Sequence, residues 1–172
     1  MRAELEDSFL AVTGAELPRL RRLAYAMCGD WHRADDLVQD ALERVYAAWP
    51  RAHAASDPGA YLRTTLVRRA ISETRRPWWR REYTREELPE VPSGDHADGI
   101  AARLDLAGAL AGLTVKQRAV VVLRFLEDRS VDEVAAILGV GQGTVKRQTH
   151  DALARLRRDL TGQYVTENGG GA

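Results

Sequence analysis

The sequence predicts an all-α protein built as two small helical domains joined by a flexible acidic linker, the second domain containing a helix-turn-helix. Three observations predict it. Apolar residues from Ala34 to Trp49 recur at i, i+3, i+4, i+7 spacing. Residues 84–99 lose that periodicity and gather Pro89, Pro92, Gly94, Gly99 and acids. Beyond the gap, Thr114 with Gln117 and Ser130 with Glu133 form capping boxes, each marking a helix start. No segment shows the alternation of a convincing strand.

The elements follow in order. Leu5, Phe9, Leu17, Leu20, Leu23 and Met27 share a loose helical face, after which Gly29 and Asp30 supply a stop and an N-cap. In the second helix Ala34, Leu37, Val38, Ala41, Leu42, Val45, Tyr46 and Trp49 form the apolar stripe, and Pro50 is expected to end it. Asp36, Gln39, Asp40 and Glu43 fall on the opposite side. Asp57-Pro58 reads as an N-cap followed by proline at the first helical position. The third helix then runs through Leu62, Leu66, Val67, Ala70 and Ile71 and breaks or kinks at Pro77. The stretch "VVVLRF" resembles a strand, but its place between a capping box and "EDRS" favours a buried helix. The expected boundaries are a domain over 1–83, a linker over 84–99, a second domain over 100–161 and a disordered tail over 162–172.

A net charge of zero conceals a strong asymmetry. Residues 63–85 carry eight arginines against Glu73 and Glu82, a net of +6. Residues 86–105 carry six acids against Arg103, a net of −5. A basic block beside an acidic one points to an electrostatic partner. Cys28 is the single cysteine, which excludes an internal disulfide and a multi-cysteine metal site. Neither a signal peptide nor a membrane span is visible, so a cytoplasmic location is expected. The four histidines at 32, 53, 96 and 150 are scattered, and no nucleophile–base set can be assembled. Neither cofactor nor metal is expected, and nothing looks catalytic.

From Val131 the chain reads "VDEVAAILGVGQGTVKRQTH". A helix-turn-helix needs a small residue where its helices cross, a residue tolerant of positive φ in the turn, and an apolar anchor on the second helix. Ala135, Gly139 and Val145 meet these needs. Gly143, Lys146, Arg147 and His150 then face outward together, and Thr144 stands near the helix N-terminus, suited to a phosphate. The plain alternative is an αα-hairpin with a solvated basic face.

A second constellation, "RRPWWRRE" at 75–82, sets Trp78 and Trp79 among arginines. Arginines track phosphates and aromatic faces stack on unpaired bases, which suits single-stranded or partly melted DNA. The tryptophans could equally close the first domain's core beneath arginine stems.

"GDWHRADDLVQDALERVYAAW", "DPGAYLRTTLVRRAISETRRPWWRRE" and "LTVKQRAVVVLRFLEDRSVDEVAAILGVGQGTVKRQTHDALARLR" together resemble regions 2 and 4 of extracytoplasmic-function sigma factors, bacterial transcription initiation subunits of the sigma-70 family. The resemblance implies a subunit without chemistry of its own. Asp36, Gln39, Asp40 and Glu43 would meet the β′ clamp helices of core RNA polymerase. The loop near His53–Pro58, together with Tyr61, Arg63, Arg68, Arg69, Arg75, Arg76, Trp78 and Trp79, would recognise and open the −10 element. Gly143, Thr144, Lys146, Arg147 and His150 would read the −35 element of promoter DNA, the second domain would dock on the β flap, and an anti-sigma protein would hold the free chain. Two positions depart from the family pattern: Arg68 stands where Asn is frequent, and Asp151 where a basic residue is common. The rival reading is a helix-turn-helix regulator with an N-terminal sensory or dimerisation domain. It leaves the acidic helix face and the Arg/Trp block unexplained.

Overall fold

The computed structural model describes residues 3–73 and 106–168, with side chains as far as Gly162. All regular structure among these residues is helical. The chain separates into two compact units, Met1–Pro89 and Glu90–Ala172. The expected linker, Arg75, Arg76, Trp78 and Trp79 lie outside the described residues.

In the first unit, α1 (Ala3–Cys28), α2 (Trp31–Ala52) and α3 (Pro58–Glu73) pack against one another pairwise. The inner face of α1 is Phe9, Thr13, Leu20, Leu23, Ala24 and Met27, with Glu16 in the same row. Thr13 is buried because its hydroxyl donates to the Phe9 carbonyl at 2.8 Å, removing its polar cost. Leu17, expected on this face, is exposed instead, since Thr13 and Glu16 occupy the row it would have joined. Gly29, at φ 72°, turns the chain, and Asp30 caps α2 by accepting from the Arg33 N–H at 2.8 Å. Tyr25 stacks on Trp31 at 4.2 Å across this turn, with the Arg21 guanidinium over the outer ring.

Among the described residues Trp49 is the largest fully buried side chain. Its indole N–H donates to Ser8 Oγ at 3.1 Å, and Phe9 meets it edge-on at 5.2 Å. Pro50 does not end α2, which continues to Ala52. A proline in the last turn only removes a donor to the Tyr46 carbonyl, and Tyr46 is exposed to water.

In the second unit, the described part of α4 covers 106–111. Arg118 holds its C-terminal end, with Nε donating to the Leu110 carbonyl at 2.9 Å and Nη2 to that of Leu113 at 3.2 Å. Both capping boxes form. Thr114 and Gln117 open α5 (Val115–Val121), and Ser130 and Glu133 open α6 (Val131–Leu138). "VVVLRF" is helical, but α5 widens into a π-turn over Val122–Leu126, closed by the Glu127 N–H donating to the Val122 carbonyl at 3.0 Å. Val120 to Leu123 are buried in succession, whereas Phe125 is 54% exposed. The last helix, α7 (Gln142–Asn168), passes the point where a disordered tail was expected at 162. Nothing from Leu160 to Asn168 breaks a helix except Gly162, whose cost is only about 1 kcal/mol.

Candidate nucleic-acid interface

The turn between α6 and α7 is built from the residues its geometry demands. Gly139 adopts φ 66°, ψ 38°, and its N–H donates to the Ala135 carbonyl. The Val140 N–H reaches the same carbonyl at 3.0 Å, completing a glycine-terminated helix end. Val134, Ala135, Val145 and Ala152 are buried where the two helices meet. Thr149 sits half-buried with its hydroxyl turned back to the Val145 carbonyl at 2.8 Å, and Gln148 beside it is also half-buried.

This packing fixes the opposite face. Gly143, Lys146, Arg147 and His150 are all exposed, at i, i+3, i+4 and i+7, with Thr144 half-buried at the edge. A Cβ placed on Gly141 or Gly143 would meet nothing within 4 Å, and neither glycine has a positive φ. The fold therefore requires glycine at neither position. Together they leave the N-terminal turn of α7 bare, so that a helix end with its positive dipole can approach a phosphate closely.

The first unit distributes its charges differently from expectation. On α2, Asp36, Gln39 and Glu43 are exposed, and Gln39 Nε2 donates to Glu43 Oε1 at 3.4 Å. Asp40 turns toward α3, where its Oδ2 accepts from Arg69 Nε and, at 3.1 Å, from Arg44 Nε. On α3, Tyr61 and Arg68 are exposed. Arg63 and Arg69, expected on the same open face, are not. Arg63 is buried, donating to Glu16 Oε2 at 2.7 Å, and the Arg69 side chain is 14% exposed. Helical spacing places Arg63 one turn from Gly59 and beside Leu62 and Leu66, on the side facing α1, and Glu16 is there to receive it. The sequence reading missed Glu16 because an acid within an apolar row looks like an interruption rather than a partner.

Comparison with known proteins gives these surfaces a setting. Residues 14–80 match the family model described as Sigma-70 region 2, and residues 109–158 match Sigma-70, region 4. The RNA polymerase sigma-E factor of Streptomyces coelicolor is 42% identical over 145 residues, spanning 82% of this chain and 79% of that one. The chain belongs to the extracytoplasmic-function sigma factors of the sigma-70 family. The ECF RNA polymerase sigma factor SigL of Mycobacterium tuberculosis is 32% identical over 154 residues, covering 86% of this sigma factor and 85% of the relative. The sigma factor RpoE, solved in complex with the anti-sigma factor NepR from Bartonella quintana, matches with a TM-score of 0.70 at 26% identity, over 92% of this chain and 97% of that one. The α1–α3 unit thus carries the region 2 match and the α4–α7 unit the region 4 match. The protein is an RNA polymerase sigma factor acting in transcription initiation. Among the described residues no helix is long and apolar enough to cross a membrane.

Proposed function

We propose that this sigma factor reads the −35 element through the bare N-terminal turns of α7 and the −10 element through the loop 53–57 and the exposed face of α3. The exposed row of Gly143, Lys146, Arg147 and His150 supports the first assignment and carries the reading. An α-helix entering a major groove by its N-terminus brings such side chains to base edges, and Thr144 to a phosphate. Tyr61 and Arg68 act on the −10 element, joined by Arg75, Arg76, Trp78 and Trp79. Asp36, Gln39 and Glu43 form the surface for the β′ clamp helices of core polymerase, and the second unit docks on the β flap. The protein works in the cytoplasm without chemistry of its own, with domains at 1–83 and from 100 onward joined by the acidic segment. An anti-sigma protein holds it when free, a reading supported by the similarity to a sigma factor solved with one.

The test is a competition assay with holoenzyme across all single-base −35 variants at fixed salt. Arg147 presents a planar fork to a guanine edge, so Arg147→Ala should weaken the best sequence by about 1–3 kcal/mol and relax preference at one base pair. A charge bound only to phosphate would weaken all sequences alike. Unchanged sequence profiles for both the Lys146 and Arg147 alanine variants would overturn base reading by this face.

A further inference from the structure

At the start of α3 one guanidinium joins two elements. Arg63 Nη1 donates to Glu16 Oε2 at 2.7 Å, and Nη2 donates to Asp57 Oδ2 at 3.3 Å. The Arg63 side chain is 7% exposed and that of Glu16 21%. Asp57 is also the N-cap of α3, its Oδ1 accepting from the Ala60 N–H at 2.8 Å. Arg63 therefore ties the end of the preceding loop to the middle of α1. Gly59 belongs to the same device. A Cβ there would lie 2.5 Å from Glu16 Oε1 and 2.9 Å from Arg63 Nη1, while its φ is not positive. A side chain at 59 would displace this ion pair rather than strain the backbone.

The loop so anchored is bare. Every residue from His53 to Asp57 is exposed. Its first residue is also tied to the fold: the His53 N–H donates to the Trp49 carbonyl at 3.0 Å, with His53 Nδ1 2.9 Å from the same oxygen. Stability alone is a poor reason for such an arrangement, because a buried ion pair recovers little beyond its desolvation cost and apolar replacements are often as stable. What the pair supplies is a fixed loop end.

We infer that Glu16, Gly59 and Arg63 are positioning residues for −10 recognition. They set the height and direction of the loop 53–57 against unpaired −10 DNA and touch no DNA themselves. This rests on the −10 assignment made above.

The experiment uses holoenzyme assembled from core polymerase and the full chain, scored on fork templates carrying every single-base −10 variant. The −35 profile, core affinity and thermal unfolding are measured alongside. Glu16→Ala should lower open-complex formation on the preferred −10 sequence about tenfold, short of the ~100-fold that a misplacement of an ångström can cost. Preference at one −10 base should flatten, with the −35 profile and core affinity unchanged. Glu16→Gln retains an acceptor for Arg63 and should recover much of the loss, whereas Gly59→Ala should reproduce it. A lowered unfolding temperature with an unaltered −10 profile in all three variants would overturn the inference and leave the cluster a structural tie. His53→Ala and Ser56→Ala separate the two levels. If they alter the −10 profile and the Glu16 variants do not, the positioning role fails alone. If they too leave it unaltered, the loop's DNA role fails and takes the inference with it.

Discussion

Replacing Asp40 by Asn tests the packing of the first unit more sharply than any apolar truncation. The substitution keeps the side chain's size and removes one charge that two arginines share. Arg44 is the minor partner: it lies one turn away on the same helix, half-exposed, where such a pair is worth about 0.3–0.5 kcal/mol. Arg69 is the major one. Its side chain is 14% exposed, and its other acceptor, Glu73 Oε1, stands 3.9 Å away. Stranding a fully buried charge costs about 3–5 kcal/mol. Asp40 itself is 32% exposed, so solvent screens the pair, and a loss of about 1–2 kcal/mol is expected from it. Together the two terms give about 2 kcal/mol, or a fall of about 8–16 °C in the melting temperature of a unit this size.

All four tryptophans of the chain fall within Met1–Pro89, so tryptophan fluorescence follows this unit in the intact protein. Asp36→Asn is the control, since Asp36 is exposed one turn earlier and should stay within about 0.5 kcal/mol of wild type. A cycle with Arg69→Gln should give a coupling energy of about 1 kcal/mol. If Asp40→Asn is no more destabilising than Asp36→Asn, the account of Asp40 as a packing charge is refuted, and its place on an open interface is restored.

Three further outcomes are expected. Gly143→Ala should raise the stability of α7 by up to about 1 kcal/mol, because alanine is the better helix former and its methyl meets nothing, yet it should weaken −35 binding. Gel-shift titration beside a melting curve reads both signs, and tighter binding would contradict the bare-turn argument. Charge reversal at Asp36 and Glu43 should weaken association with core polymerase while leaving the fold intact, as measured by titration against labelled core. Glu133 is held below its ordinary value near 4.5, chiefly by the Ser130 backbone N–H and then by Arg129. A lowered carboxyl contributes stability above its unfolded value that disappears as the pH falls through 4.5 and below. Glu133→Gln preserves the box without the titration, so hydrogen exchange of α6 should depend less on pH below that point than in wild type.

The helices were legible wherever a local rule decides them. Asp30, Thr114 and Ser130 cap because their side chains satisfy helix N–H groups a few residues away, which needs no knowledge of the rest of the chain. Gly139 takes positive φ for an equally local reason. The errors lie where a helix is shaped by what packs on it. The π-turn at Val122–Leu126 has no signature in "VVVLRF", and it leads into a loop where Arg124 Nη1 donates to the Arg129 carbonyl at 2.6 Å. Leu17 lost its place to Thr13 and Glu16 because polar residues become good core neighbours once their hydrogen bonds are met within the fold.

The same distinction divides the candidate site. On α7 the outward row follows from the inward one, since Val145 and Ala152 leave Lys146, Arg147 and His150 nowhere to point but solvent. On α3 that inference does not hold. The arginines at 63, 68 and 69 look equivalent in a basic block, yet Glu16 and Asp40 draw Arg63 and Arg69 into the fold while Arg68 is exposed. Glu16 is 47 residues from Arg63 and Asp40 is 29 from Arg69, separations that no reading of local pattern spans. Arg63 and Arg69 therefore leave less charge exposed than a net of +6 over residues 63–85 implies. Arg63 and Arg69 are already committed to acids of the fold, so a test of DNA contact on α3 belongs at the exposed Tyr61 and Arg68.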